Sequence, residues 1–188
     1  YCHFKYLGNP LGKPGDTWDQ GVFYVDHCLF EEITPAPQVN TSTLISGVKE
    51  LRHSIVRNIN GNTPFSTNYG QIIENNVFFN LRNVEWAFRS NLDGVSVKFN
   101  NFVYNSNNQT WGGSNPDYAA VFKITNNNPD FLYNNIINND RFLSSSGTQD
   151  IINLPNQYWG MSTGGYEEQL WDFWDNSSLP MFDINPVL

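Results

Sequence analysis

The five-residue segment Asn75-Asn76-Val77-Phe78-Phe79 recurs along the chain in altered form. Each copy places a large apolar residue two positions after a small polar residue or a Cys. The other copies are Tyr1-Cys2-His3-Phe4-Lys5, His27-Cys28-Leu29-Phe30-Glu31, His53-Ser54-Ile55-Val56-Arg57, Asn100-Asn101-Phe102-Val103-Tyr104 and Asn134-Asn135-Ile136-Ile137-Asn138. A further copy is expected at Asn156-Gln157-Tyr158-Trp159. Self-similarity of this kind predicts a repeat protein, in which each copy belongs to one structural unit.

Aligning the copies gives one polar and one apolar column. The polar column reads Cys2, Cys28, Ser54, Asn76, Asn101 and Asn135, and the apolar column reads Phe4, Phe30, Val56, Phe78, Val103 and Ile137. The polar residues follow one another at 22 to 26 residues, with a single step of 34. That period fits one turn of a solenoid, and a unit rich in Asn, Gly and β-branched residues favours strands and turns. We therefore predict an all-β parallel β-helix of about seven coils.

The two columns predict how the interior is built. The apolar column is expected to form a continuous buried stripe, because equivalent residues stack from one coil to the next. The Asn column is expected to face inward as a ladder in which each side-chain amide bonds its neighbours. Such bonds satisfy polar groups that would otherwise cost about 1–3 kcal/mol each when buried.

Cys2 and Cys28 occupy the polar column of neighbouring copies. Stacked coils place equivalent Cα atoms about 4.8 Å apart, which is within the range of a disulfide. Parallel Cβ vectors, however, leave the two sulfur atoms poorly aimed at each other. We expect two buried free thiols.

Composition excludes some classes of partner. The chain has 188 residues and a formal net charge of −8, which argues against binding to nucleic acid. No run of 18 apolar residues occurs, so no membrane span is expected. The high contents of Asn, with 28 residues, and of aromatic residues suit a β-rich surface protein. Because the chain opens directly on structured-looking sequence, we expect it to continue into an N-terminal part not present here.

The repeat pattern stops near residue 160, which suggests two domains. Residues 1–160 are predicted to form the β-helix, and residues 161–188 a C-terminal cap with a short helix and a tail. One face of that amphipathic helix would carry Tyr166, Leu170, Phe173 and Trp174. Solenoids need such caps because the last coil would otherwise expose unpaired strand edges and core residues.

The C-terminal segments also carry a resemblance to a known family. They are Asn156-Gln157-Tyr158-Trp159-Gly160, Glu167-Glu168, Trp171-Asp172-Phe173, Asp175-Asn176-Ser177-Ser178-Leu179 and Phe182-Asp183-Ile184-Asn185-Pro186. Together they resemble the closing module of right-handed parallel β-helix repeat proteins of the pectate-lyase-like superfamily, although Gln157 stands where Asn is usual. The resemblance implies a right-handed solenoid and an extracellular or cell-surface location. It implies no single activity, because the family includes lyases, hydrolases, epimerases and adhesins.

The acidic and basic residues form no clear catalytic motif. The resemblance implies an Asp cluster for calcium and a Lys or Arg base in lyases, but the candidate carboxylates are scattered. They are Glu74, Glu85, Asp93, Asp117 and Asp130. The acidic pairs Glu31-Glu32 and Glu167-Glu168 are more simply explained as solvated, and so are the possible bases Arg89, Lys98 and Lys123. We therefore predict no catalytic residue and no cofactor.

His27 and His53 are the strongest candidates for metal ligands. They occupy the same place in neighbouring copies, so their imidazole rings are expected to stack. Two ligands are too few for a metal site, and the adjacent Cys column is expected to face inward. No metal site is predicted.

Aromatic residues in or near the inter-strand segments offer the better functional signal. These are Trp18, Trp86, Trp111 and Tyr118. Flat aromatic rings can stack on sugars or on partner proteins, although packing of a loop onto the solenoid explains them equally well. We predict a non-catalytic scaffold that binds a polysaccharide or a surface protein. The alternative is a fragment of a carbohydrate-active enzyme, a polysaccharide lyase or glycoside hydrolase, which a cluster of charged side chains on one outward strand ladder would favour.

Overall fold

The computed structural model describes residues 1–5, 23–32, 45–46, 48–60, 65–66, 72–82, 88–90, 95–106, 122–125, 130–140, 142–146, 151–160, 169–172, 174 and 177–185. These residues form nineteen β-strands and no α-helix. No helix in this part of the chain is long and apolar enough to cross a membrane.

The strands form three larger sheets and two short pairs. The six-stranded sheet contains β1 (Cys2–Lys5), β3 (Cys28–Glu31), β6 (Ile55–Arg57), β9 (Val77–Phe79), β12 (Asn101–Val103) and β15 (Asn135–Ile137). The five-stranded sheet contains β2 (Phe23–Asp26), β5 (Val48–Arg52), β8 (Ile72–Glu74), β11 (Ser96–Lys98) and β14 (Asp130–Leu132). The four-stranded sheet contains β10 (Phe88–Ser90), β13 (Phe122–Thr125), β16 (Leu143–Ser146) and β18 (Leu170–Trp171). The pairs are β4 (Ile45–Ser46) with β7 (Phe65–Ser66), and β17 (Ile151–Asn153) with β19 (Met181–Asp183).

The order of strands within each sheet shows that the chain winds as a solenoid. Neighbouring strands of a sheet are parallel and follow one another in chain order, with strands of other sheets between them. The chain therefore returns to the same sheet once per turn, as a parallel β-solenoid does. The predicted all-β repeat fold is confirmed. The number of seven coils stays a prediction, since the larger sheets contain six, five and four described strands.

Two corners border the six-stranded sheet. In each turn of the solenoid, one residue in the left-handed conformation forms each corner. The first corner, between the five-stranded and six-stranded sheets, contains His27, His53, Asn75, Phe99, Tyr133 and Asn156, with φ between 46° and 60°. The second corner, after the six-stranded sheet, contains Glu32, Asn58, Asn80, Tyr104, Asn138 and Gly160. Asn and Gly suit this conformation, whereas bulky side chains rarely adopt it.

Apolar residues from the strands fill the interior. Phe30, Val56, Phe78, Phe102 and Ile136 point inward from the six-stranded sheet, and Leu51, Ile73, Val97 and Phe131 from the five-stranded sheet; all are buried. The rings of Phe78 and Phe102 stack with their centroids 4.9 Å apart. Stacked apolar columns of this kind bury most of each side chain, and such burial stabilises by about 1.5–3 kcal/mol per residue.

A polar ladder follows the first corner on the inside of the solenoid. Its members are Cys28, Ser54, Asn76, Asn100, Asn134 and Gln157, all buried. Asn100 Oδ1 accepts hydrogen bonds from both the backbone N–H and the side-chain amide of Asn76, each at 3.0 Å. Asn134 Oδ1 accepts the same two bonds from Asn100. The predicted inward asparagine ladder is confirmed in kind, because every amide satisfies backbone and side-chain groups of the adjoining turn.

A second ladder, not predicted from the sequence, follows the second corner. It contains Asn105, Asn139 and Gln169. Asn139 Oδ1 accepts from the backbone N–H and side-chain amide of Asn105 at 2.9 and 3.0 Å. In earlier turns Ile59 and Leu81 hold the same place and are buried. This corner therefore changes from an apolar to an amide interior along the solenoid.

The predicted register is wrong by one residue in two of the copies. Asn100 and Asn134, rather than Asn101 and Asn135, are the ladder residues. In the apolar column, Phe102 and Ile136 stand where Val103 and Ile137 were expected. Because side chains alternate between the two faces of a strand, a slip of one residue exchanges inward for outward positions.

The cysteine prediction is correct in part. Cys2 and Cys28 are register partners in neighbouring strands, and both are free thiols. Cys28 is buried, but Cys2 is exposed, so the expectation of two buried thiols is wrong for Cys2. Burial is the main cause that raises the pKa of the Cys28 thiol, with a smaller contribution from its hydrogen bond with Cys2.

The C-terminal region differs from its predicted form where it is described. Leu170 and Trp171, expected in a helix, form strand β18, which pairs with β16. Residues 161–168, which include the predicted start of the helix, lie outside the described residues. The domain boundary at residue 160 therefore stays a prediction. The expected further copy is present: Tyr158 pairs with Asn135, and Gln157 accepts hydrogen bonds from Asn134 as the last member of the first ladder.

Candidate functional site

Two aromatic residues stand next to each other at the first corner. Phe99 and Tyr133 both have φ of 56° and lie in consecutive turns. Their rings stack with centroids 5.4 Å apart and planes 7° apart. Phe99 is 51% exposed and Tyr133 is 45% exposed, so the outer edges of both rings face solvent. The pair forms a flat aromatic ridge on the outside of the solenoid.

Local stability does not explain why aromatic residues occupy this corner. A left-handed conformation costs a residue with a Cβ roughly 1–2 kcal/mol, and Asn, His and Asp tolerate it best. The same corner has Asn75 one turn before Phe99 and Asn156 after Tyr133. Stacking of the two rings contributes about 0.5–1.5 kcal/mol, which is less than the cost for two residues. The positive φ recurs at this corner in every described turn, so the unusual feature is the choice of aromatic residues for it.

Further rings border the outer surface of the six-stranded sheet. Tyr104, at the second corner with φ of 55°, packs edge-to-face against Phe79 with centroids 5.9 Å apart. Tyr158 lies at the end of the same surface, next to Asn135. All three are exposed by more than a third of their surface. We call the surface formed by Phe79, Phe99, Tyr104, Tyr133 and Tyr158 the aromatic face.

Two outward amides lie within the aromatic face. Asn101 and Asn135 are register partners in β12 and β15, and the Asn135 side-chain amide donates to Asn101 Oδ1 at 2.6 Å. An Asn side chain offers two N–H donors and one carbonyl acceptor, so hydrogen-bonding capacity remains for a ligand. The combination of flat rings and amides suits a neutral, hydroxyl-rich ligand, since rings stack on its apolar faces and amides bond its hydroxyls.

The binding residues predicted from the sequence are not among those that the structure describes. Trp18, Trp86, Trp111 and Tyr118 all fall outside the described residues, so their role stays a prediction. The aromatic face was missed although the sequence carried a signal for part of it. Phe99 and Tyr133 each directly precede an Asn-Asn pair, in the place where the three preceding copies have His27, His53 and Asn75.

Charged side chains form a ladder on the outside of the five-stranded sheet. Arg52 donates to Glu50 at 3.1 Å and to Glu74 at 2.7 Å, and Lys98 pairs with Asp130. This is a cluster of carboxylates and bases on one outward strand ladder, the feature expected of an enzyme. Its basic groups are ion-paired, whereas a general base must be poised to take a proton. Of the other candidates, Glu85, Asp93 and Asp117 lie outside the described residues, and the Arg89 and Lys123 side chains are not described.

Two acidic residues have structural roles in the described parts of the chain. Glu31, expected to be solvated, is buried and accepts from Arg57 at 2.9 and 2.5 Å and contacts His3 at 2.8 Å. Asp172 is buried and accepts backbone N–H groups of Trp174 and Phe182 at 3.0 and 2.8 Å. Both carboxylates stabilise the fold, and neither is presented to a ligand.

A second potential site lies at the opposite end of the first corner. His27 and His53 stack with ring centroids 4.9 Å apart, as predicted. Asp26, which the sequence analysis did not consider, adds a carboxylate: its Oδ1 lies 2.9 Å from His27 Nδ1 and 2.8 Å from His53 Nδ1. The hydrogen bond from His53 is the main reason that the pKa of Asp26 lies below its ordinary value. The carboxylate is therefore ionised at neutral pH.

Comparison with known proteins identifies no relative. No model of a protein family matches the chain, and neither a curated protein nor a solved structure matches it.

Proposed function

We propose that this chain is a non-catalytic β-solenoid scaffold, located outside the cell or on its surface, that binds neutral polysaccharides along the aromatic face. The observation that carries the proposal is the stack of Phe99 and Tyr133 at left-handed corner positions. Two bulky residues occupy a conformation that favours Asn, and the result is an exposed ridge of rings.

The surroundings of the ridge favour a carbohydrate over other ligands. The net charge of −8 disfavours acidic polymers through general electrostatic repulsion. The Asn101 and Asn135 amides supply neutral hydrogen-bonding groups beside the rings. Because Phe99 and Tyr133 place rings at the same corner of two consecutive turns, the face suits a polymer whose own units repeat, such as a polysaccharide chain.

The finer structural assignments belong to the same proposal. We infer a right-handed helix, because about 98% of parallel strand crossovers have that hand. Membership of the pectate-lyase-like superfamily rests on the resemblance of residues 156–186 to its closing module. That family has many secreted and surface proteins, which supports the proposed location. A surface protein is the other candidate partner, bound through the segments that contain Trp18, Trp86, Trp111 and Tyr118.

The test measures binding of the purified chain to a panel of neutral and acidic polysaccharides by affinity electrophoresis. The double variant F99N/Y133N removes both rings and introduces the residue that the corner already has in other turns. We expect binding to at least one neutral polysaccharide, weakened at least tenfold in the double variant. Tyr24→Asn is the matched control, because Tyr24 is exposed but lies on the five-stranded sheet. The proposal would be contradicted if no polysaccharide slowed the migration of the chain, or if the double variant bound as tightly as the wild type.

The charged ladder favours a second candidate, a carbohydrate-active enzyme. Glu50, Glu74 and Asp130 place three carboxylates beside Arg52 and Lys98 on one surface, and hydrolases need two gathered carboxylates. Release of reducing or unsaturated sugar ends by the chain, lost in both Glu74→Gln and Lys98→Met, would support this function. Activity of the wild type that survives both substitutions would locate catalysis elsewhere.

A further inference from the structure

The first corner carries a cluster of metal-ligating side chains, separate from the aromatic face. Asp26, His27 and His53 each offer one ligand atom, and these three atoms all lie within 4.8 Å of one another. All three side chains are exposed, so an ion could reach them from solvent. We propose that Asp26, His27 and His53 form a binding site for a divalent transition-metal ion of the zinc class.

The distances within the cluster fit a tetrahedral ion. Zinc binds nitrogen and carboxylate oxygen at about 2.0–2.2 Å, so its ligand atoms lie about 3.3 Å apart. Asp26 Oδ1 is 2.9 Å from one imidazole Nδ1 and 2.8 Å from the other. The carboxylate oxygen would therefore have to move only about half an ångström away from each imidazole nitrogen to hold an ion between them. Three protein ligands leave a fourth position open to water or to an added ligand.

The solenoid backbone holds the two imidazoles in place. His27 and His53 have φ of 52° and 46°, so the same corner geometry projects both rings in the same direction from adjacent turns. Their backbone N–H groups donate to the carbonyls of Arg52 and Glu74 at 3.2 and 3.3 Å. Asp26 is the last residue of β2 and precedes His27 directly. Ligands on rigid elements bind with less loss of entropy, because their geometry is already arranged.

The ligand set selects the class of ion. Imidazole nitrogen favours zinc, copper, nickel and iron, whereas calcium and magnesium require oxygen ligands. A nitrogen that binds a metal ion must carry no proton, so protons compete with the ion and binding should weaken as the pH falls.

Titration of the EDTA-treated chain with Zn²⁺ in a calorimeter tests the proposal, with Co²⁺ as a spectroscopic probe. We expect one ion per chain and a Co²⁺ absorption band of tetrahedral intensity. His27→Asn, His53→Asn and Asp26→Asn should each weaken Zn²⁺ binding at least tenfold. Asn already occupies this corner at Asn75, so the histidine variants retain a suitable residue for the backbone.

His3→Asn is the control. The chain has three histidines, and His3, the one outside the cluster, contacts Glu31 instead. Zn²⁺ binding should be unchanged in this variant, and circular dichroism should show that all variants fold. The proposal would be overturned if the chain did not bind Zn²⁺, or if binding survived both His27→Asn and His53→Asn. Loss of Zn²⁺ binding in His3→Asn would also overturn it. The polysaccharide assay is independent of every one of these outcomes.

Discussion

Inward and outward positions of the same turns differ in how much the residue type varies from one turn to the next. The inward ladder has Asn76, Asn100 and Asn134 in three successive turns. The outward corner residues that directly precede them are Asn75, Phe99 and Tyr133. A buried amide has fixed hydrogen-bond partners, so its identity is constrained by the cost of leaving them unpaired. A corner side chain in solvent has no such requirement, and there the solenoid can vary its surface.

Replacements within the ladder support this interpretation. Where the ladder changes from Asn to Ser54, the hydroxyl oxygen still accepts the backbone N–H of Cys28, at 3.1 Å. At the other end Gln157 Oε1 accepts the backbone N–H of Asn134, at 3.0 Å. The residue type changes, but an acceptor is kept at the same place. From Ser54 to Gln157, the ladder therefore keeps a correctly placed side-chain oxygen atom.

The largest expected difference between the two faces concerns Phe78 and Phe79. Phe78 is buried against Phe102, whereas Phe79 points outward and is 37% exposed. Phe78→Ala should lower the free energy of unfolding by about 3–5 kcal/mol, because it leaves a cavity in a closely packed core. Phe79→Ala should cost about 1 kcal/mol or less. Urea denaturation of both variants measures the difference, and equal costs would contradict the assigned faces.

A similar comparison applies to the neighbours Asn100 and Asn101. Asn100→Ala removes the acceptor of two Asn76 donors and the donor to the Ile73 carbonyl, all buried. We expect a loss of about 3 kcal/mol, since each unsatisfied buried group costs about 1–3 kcal/mol. Asn101→Ala removes one outward side-chain bond and should cost less than about 1 kcal/mol. If thermal unfolding showed the larger loss for Asn101, the ladder would have the register first expected from sequence.

The repeat could be predicted from sequence because buried columns are restricted to few residue types. Phe30, Val56 and Phe78 recur in phase with Cys28, Ser54 and Asn76, and their pairing is as predicted. The slip began at the Asn100-Asn101 pair. Aligning it with Asn75-Asn76 assumed that both pairs start at the corner, but here Phe99 is the corner residue. Two adjacent asparagines satisfy either alignment, so only the three-dimensional pairing distinguishes them.

The second ladder and the metal-ligating cluster could not be predicted from the sequence, for different reasons. Asn105 and Asn139 are 34 residues apart, and Gln169 joins them after a segment without a repeat signal. To predict the metal-ligating cluster, one would have to know that the Asp26 side chain, at the end of a strand, contacts both imidazoles. Such contacts depend on side-chain direction, which a count of ligands by sequence spacing does not include.

Changing the corner itself should have a small effect on stability. In F99N/Y133N, Asn adopts the left-handed conformation at lower cost than Phe or Tyr, which favours the variant by about 1–2 kcal/mol per residue at most. Loss of ring stacking and of partly buried ring surface opposes it by a similar amount. We expect the free energy of unfolding to change by less than about 1 kcal/mol. A loss above about 2 kcal/mol in urea denaturation would mean that the rings are needed for the fold itself.

The smallest effect on stability, and the sharpest contrast in chemistry, is expected for the two thiols. Cys2 and Cys28 are paired in register, but Cys2 is exposed and Cys28 is buried with a raised pKa. The thiolate is the reactive form, so both burial and the raised pKa slow alkylation of Cys28. Iodoacetamide at pH 8 should modify Cys2 first, and Cys28 only after urea unfolds the chain, as peptide mass spectrometry would show. Cys2→Ser should leave one protected thiol. Equal modification rates in the folded chain would place Cys28 on the outside and reverse the inward assignment of its column.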